Sequence, residues 1–225
     1  MNITWHTFED AAAVAQQASK LILEAGHQAI QLRGIFRLAL AGGTTPQMAY
    51  QLLAEAKADW RYWDIWFGDE RCVPADDSER NSIMATNAWL AHVPIPQQNI
   101  HVIGTESGAA VGAAGYAAKI ARVLPLDMAI LGVGEDGHTA SLFPGQHASS
   151  GLTVTINNAP KPPPSRISLS EKVLSRSRRL LVIVTGEEKR DAVKRWRAKA
   201  NLPISRITAA ASSVDVLMDR AAADA

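Results

Sequence analysis

The chain has 225 residues, 47% of them hydrophobic, with 23 Lys and Arg against 22 Asp and Glu. That length supports a sizeable core, as one large domain or two packed halves, and the near-zero net charge points to neither nucleic acid nor a membrane surface as a partner. A single cysteine, Cys72, excludes an internal disulfide framework and a multi-cysteine zinc site.

The N-terminus MNITWHTFED lacks the basic start and apolar run of a signal peptide, and runs such as LLVIV are too short to span a bilayer. A soluble, cytoplasmic protein is expected, forming a single domain over residues 1–225. Thr7 and Asp10 have capping-box spacing, and Val14, Ala18, Leu21, Ile22, Ala25, Ala29 and Leu32 recur at helical spacing. A long helix therefore opens the chain and Gly34 ends it. FRLALAGG reads as a strand running into glycines. TTPQMAYQLLAEA follows as a helix, with Thr45 as its cap and Pro46 in its first turn.

The alternation continues. YWDIWFGDE and NIHVI read as strands around the helix ERNSIMATNAWLAHV, and GAAVGAAGYAAKIARVL reads as a helix weakened by glycines. DMAILGVG is a strand, TVTINNA and RISLS are shorter ones, and RLLVIVTG is a strongly buried one. EEKRDAVKRWRAKA is a helix with acids in its first turn and bases in its last, matching the helix dipole. Strands alternating with helices imply an α/β fold with a mostly parallel sheet. The proline-rich NNAPKPPPS reads as a stiff connection inside the domain.

In such a sheet, loops after strands line the ligand crevice. LALAGGTTP places Gly42, Gly43 and Thr44 at a helix start, which suits a phosphate or a tight capped turn, but lacks the nucleotide P-loop pattern. WFGDERCVP puts Asp69, Glu70 and Arg71 at a strand end, either as a solvated turn or as part of a site. Cys72 has no activating partner in sequence and reads as a small buried residue. LGVGEDGHTASLFPG places Asp136 two residues before His138 at the end of a glycine-bearing strand. A carboxylate beside an imidazole orients it as a general base, whereas a metal site would want a second histidine at ligand spacing. His147, nine residues on, does not have that spacing. Nothing marks Ser141 as activated and no Gly-x-Ser-x-Gly elbow is present, so water is the preferred nucleophile. Residues 166–199 carry an excess of base. Most of it reads as solvated helix face, but Arg166 and Lys189 lie at element edges from which they can reach a crevice.

AGGTTP, FGDER, GVGEDGHTASLFPG, RISLS and VTGEEKR, in this order, resemble the 6-phosphogluconolactonase family from about residue 5 to about 215. Its superfamily includes glucosamine-6-phosphate deaminase and, more distantly, ribose-5-phosphate isomerase. The resemblance implies a Rossmann-like α/β fold with no cofactor and no metal. It implies hydrolysis of 6-phosphogluconolactone to 6-phosphogluconate, the second step of the oxidative pentose phosphate pathway, by a monomer or small homo-oligomer.

Carried over by motif, His138 is the general base with Asp136 beside it. Gly42, Gly43, Thr44, Arg166 and Lys189 hold the 6-phosphate, Asp69 and Arg71 face the sugar ring, and Asn81 is a further binding residue. Ala41 and Thr44 stand where the family often has serines, and Glu79-Arg80-Asn81 replaces a common Ser-Asn. Two other readings are a deaminase-like enzyme and a non-catalytic sugar-phosphate sensor. Against the first, residues 139–145 hold no acid. Against the second, Asp136 and His138 are both present and no DNA-binding segment is appended.

Overall fold

A computed structural model describes residues 3–145 and 150–223; His147 lies outside them. Six strands form one parallel sheet in the order β1-β9-β8-β5-β2-β3, built from β1 (Ile3–Phe8), β2 (Phe36–Leu40), β3 (Trp63–Phe67), β5 (Met128–Gly132), β8 (Arg179–Val184) and β9 (Val214–Asp219). A second, antiparallel sheet sets β4 (Asp69–Arg71) against β7 (Arg166–Leu169), with β6 (Thr153–Ile156) outside it. Helices α1 (Ala11–Arg33), α2 (Thr44–Ala54), α3 (Asn81–Ala85), α4 (Ala109–Ile120), α5 (Glu171–Ser175), α6 (Arg190–Arg197), α7 (Pro203–Ala210) and α8 (Arg220–Ala223) complete the expected Rossmann-like α/β fold.

Strands β2, β3, β5 and β8 are almost wholly buried, as near-continuous apolar runs require when a parallel sheet is covered on both faces. Helix α1 packs Val14, Ala18, Ile22, Ala25 and Ala29 inward, and Gly34 closes it in the left-handed conformation at φ 73°. Leu32, grouped with that stripe by spacing, is exposed, because the helix ends one residue later.

Several expectations need correction. Thr7 belongs to β1, so the helix is capped by Asp10 alone, whose carboxylate accepts from the Ala13 N–H at 2.9 Å. Thr45 does not cap α2. Gly43 is the cap, and the Thr45 hydroxyl instead meets that of Thr185 at 2.6 Å. YWDIWFGDE is two strands in two sheets, because the chain leaves the main sheet at Gly68. NIHVI makes only one bridge, Ile100 to Ile65. The helix expected from residue 79 is short and passes into a π-helical stretch at Thr86–Leu90. Edge strand β1, helix α7 and strand β9 were not foreseen. In β9, Asp215 and Asp219 break up the apolar run that would mark a buried strand.

Strand order positions the site. After β2 the chain moves outward to β3, and then returns to place β5 on the other side of β2. Neighbouring loops after β2 and β5 therefore leave in opposite directions. The crevice between them is where open α/β sheets bind ligands.

Candidate active site

At that switch point lies an open cleft of about 470 Å³. Four loops leaving the carboxyl ends of β2, β3, β5 and β8 reach it, together with the β6–β7 hairpin. It gathers nine of the ten residues singled out by sequence: Gly42, Gly43, Thr44, Asp69, Arg71, Asn81, His138, Arg166 and Lys189. The tenth, Asp136, stands behind the cleft wall against His138. Lys161, Thr185 and Glu188 also line the cleft, and sequence reading had not singled them out. Lys161 was hidden inside a proline-rich connection that looked purely mechanical.

His138 Nδ1 lies 2.6 Å from Asp136 Oδ1, and the same oxygen accepts the His138 backbone N–H at 3.0 Å. Burial alone would raise the Asp136 carboxyl, but these hydrogen bonds outweigh it and hold the group below the usual carboxylate range. An ionised carboxylate only accepts, so Nδ1 carries the proton that faces it, and in the neutral ring Nε2 then holds the lone pair. The turn is held by Gly137 N–H to Gly134 O at 2.9 Å and by Gly134 N–H to His138 O at 2.8 Å. The His138 ring lies directly on Gly134, where any Cβ would overlap it. The glycine thus gives the imidazole its seat. Phe143 flanks the ring, with centroids 4.7 Å apart.

Asn81 seats the first loop in the same way, since a Cβ at Gly42 would overlap its amide. Its Nδ2 is committed to Asp69, donating to the backbone oxygen at 2.9 Å and to Oδ1 at 3.1 Å. Asn81 therefore acts on the cleft through Asp69 and Gly42. The N-terminus of α2 opens onto the cleft with Thr44 exposed. Its backbone N–H groups and dipole favour an anion there. Tyr50 of α2 pins the loop, donating its hydroxyl to Ala41 O at 2.9 Å and accepting Ala41 N–H at 3.0 Å. Tyr116 of α4 does the same for Phe67 at the end of β3.

In β4, side chains alternate. Asp69 and Arg71 face the cleft, while Glu70 points the other way and is fully buried. The Glu70 carboxylate accepts the backbone N–H groups of Arg71 (2.9 Å), Asn81 (2.7 Å) and Ser82 (2.9 Å). It also lies 3.5 Å from buried Arg80 Nε. Asp69 accepts the hydroxyl of fully buried Ser141 at 2.6 Å, which ties the histidine loop to β4 and occupies that serine. Burial pushes the Asp69 carboxyl up, with Ser141, Arg71 and Arg166 opposing incompletely.

Arg71 and Arg166 are directly opposite in the β4–β7 ladder. Arg166 donates to the carbonyls of Lys161, Pro162 and Pro163 at 2.9–3.0 Å, and Arg71 Nη1 donates to Glu79 O. Among the described residues, neither guanidinium has a carboxylate within 4.0 Å. Burial, and then the charge of Arg71, lowers the Arg166 pKa. Two like charges opposed across a ladder are destabilising by themselves, and an anion between them would relieve that repulsion. Among the described residues, no three His, Cys, Asp or Glu side chains converge to hold a metal ion, and no helix is long and apolar enough to cross a membrane.

Residues 9–216 match the family model described as glucosamine-6-phosphate isomerases/6-phosphogluconolactonase. The chain is 34% identical to a 6-phosphogluconolactonase of Nostoc sp. over 86% of its length and 84% of that protein. It is 33% identical to one from Mycobacterium leprae, over 93% of its length and 91% of that protein. The solved 6-phosphogluconolactonase of Leishmania guyanensis superposes with a TM-score of 0.88 at 26% identity, covering 100% of this chain and 98% of that one.

Proposed function

The chain belongs to the glucosamine-6-phosphate isomerase/6-phosphogluconolactonase family and hydrolyses 6-phosphogluconolactone in the pentose phosphate pathway; we propose that His138 drives this hydrolysis as general base on water. The observation that carries the mechanism is the 2.6 Å contact from Asp136 to His138 Nδ1, which leaves Nε2 without a partner among the described residues, at a cleft lined by Arg71, Arg166 and Lys189.

In this reading Nε2 takes a proton from water as the water oxygen bonds to C1 and the carbonyl electron pair moves onto its oxygen. Collapse re-forms the carbonyl and breaks the bond between C1 and the ring oxygen. The imidazolium returns its proton to that oxygen, which becomes a hydroxyl. The new carboxylic acid ionises at neutral pH and releases one proton to solvent. Asp136 stabilises the transient imidazolium, and acid–base help of this kind contributes roughly 100- to 10,000-fold.

Gly42, Gly43 and Thr44 at the start of α2, with Arg166 and Lys189, receive the 6-phosphate. Arg71, beside Arg166, lies between the phosphate and the ring, where it is placed to stabilise charge on the attacked carbonyl. One such donor is typically worth about 3–4 kcal/mol. Asp69 faces the ring hydroxyls. Holding the distant phosphate fixes the lactone carbon against the base. The phosphosugar lactone is the expected partner, and the whole chain acts as one unit.

Proton release from freshly generated 6-phosphogluconolactone, followed by pH-stat with a no-enzyme control, tests the proposal. Rapid opening by wild type is expected to fall about 100- to 10,000-fold in His138→Ala. Equal turnover by both proteins would remove His138 from its role, and no acceleration by folded wild type would refute lactone hydrolysis.

A further inference from the structure

Cationic side chains outnumber anionic ones around the cleft. Arg71, Lys161, Arg166 and Lys189 all line it, against Asp69 and Glu188. Asp69 is tied to Ser141 and Asn81. Hydrolysis of a phosphosugar lactone creates a carboxylate, so product leaves with one more negative charge than substrate had on arrival. A purely cationic cleft would hold product more tightly than substrate and be slow to turn over.

Glu135 occupies the place where this imbalance can be corrected. Its Oε1 accepts a hydrogen bond from Lys161 Nζ at 3.0 Å and lies 3.6 Å from Lys189 Nζ. It thus joins two cleft-lining lysines from distant parts of the chain, one on the β6–β7 hairpin and one after β8. The same hairpin offers the carbonyls of Lys161, Pro162 and Pro163 to Arg166, so the lysine and the arginine are presented by one stiff loop. Lys161 and Glu135 are each about half exposed, and pairs of that kind are inexpensive to break and remake. Lys161, and then Lys189, hold the Glu135 carboxyl below its usual range, so it remains charged wherever the enzyme meets phosphosugars.

We propose that Glu135 is an intramolecular competitor for the ligand's anion, gripping Lys161 and Lys189 before the phosphosugar binds, yielding them to it and reclaiming them as product leaves. It rests on the lactonase reading for its purpose but not for its geometry. Glu135 is a positioning and release residue, distinct from neighbouring Asp136, which orients the base. Glu188 also lies 3.6 Å from Lys189, but among the described residues it makes no ion pair with Lys161, so it cannot link the two loops.

The test measures Kd for 6-phosphogluconate and for inorganic phosphate by calorimetry, alongside kcat and KM by pH-stat, in wild type and Glu135→Gln. Both ligands are expected to bind about three- to tenfold tighter in the variant, with KM falling in step and product inhibition strengthened. In a Lys161→Met background most of that gain should disappear, since coupled residues are non-additive. Unchanged or weaker binding in Glu135→Gln would overturn the proposal, and so would an equal gain in the Lys161→Met background. Tighter phosphate binding in Glu135→Gln, with no lactone turnover by wild type, would refute the lactonase reading and leave the competitor standing.

Discussion

His138 and Gly134 are two ends of one contact. The turn from β5 folds the imidazole back onto the glycine, so Gly134→Ala must move the ring. A displacement of about 1 Å at a reacting group can cost roughly 100-fold. Turnover of Gly134→Ala should fall by about that factor in the pH-stat assay, while calorimetry finds inorganic phosphate bound as in wild type. Two carboxylates, Asp69 in the cleft and Asp136 behind it, respond to pH with opposite signs. Asp136 titrates below the usual range in the folded state, so its contribution to stability is present above the ordinary carboxylate pKa and is lost as pH falls through its folded value. Asp69 titrates above that range, so the folded state binds its proton more tightly than the unfolded chain. Stability is lost as pH rises from the ordinary value through the raised one. Asp69→Asn, which keeps an acceptor for Ser141, should therefore raise Tm at pH 7, and the gain should shrink toward pH 4. Thermal melts across that range check both the sign and the window.

At the scale of elements, β4 shows how three residues serve two sides of the molecule. A strand of period two sends Asp69 and Arg71 to the cleft and Glu70 into the protein, where it holds the first N–H groups of α3 and buried Arg80. Arg80 keeps Glu106 as a second partner at 2.8 Å, but removing Glu70 leaves the N–H groups of Arg71, Asn81 and Ser82 without their acceptor, at a cost of about 1–3 kcal/mol for each that stays buried. Glu70→Ala should lose stability on that scale in urea unfolding, and it should loosen Asn81 and with it the seat of Gly42. GDER was legible in sequence as a charged strand end, but not as a divided one. Which acid turns inward depends on β4 pairing with β7, which lies some hundred residues away. The same holds for β9, whose two aspartates masked a strand that the main sheet nonetheless requires between β1 and β8.

For the whole molecule, the opposed Arg71 and Arg166 and the open start of α2 leave positive charge in the cleft that the protein's own carboxylates do not pair, so a phosphosugar should stabilise the fold by mass action. At 100 times Kd this is worth about 2.7 kcal/mol, or roughly 5–11 °C in Tm for a chain of this size. Calorimetric scans with 6-phosphogluconate at rising concentration should show that increase, and Arg71→Ala and Arg166→Ala should each diminish it.

The sequence by itself determined the alternation of strands and helices, the glycine-rich helix start and the Asp136–His138 pairing. Each of these is written in residues close together in the chain, where apolar period, backbone freedom and short-range hydrogen bonding act directly. Only the tertiary structure decided that Lys161 reaches the cleft, that Arg71 faces Arg166, that Ser141 is spent on Asp69 and that Glu135 spans two lysines. These are contacts between segments that meet because the strand order reverses beside β2, and no local pattern records which distant side chains such a reversal brings together.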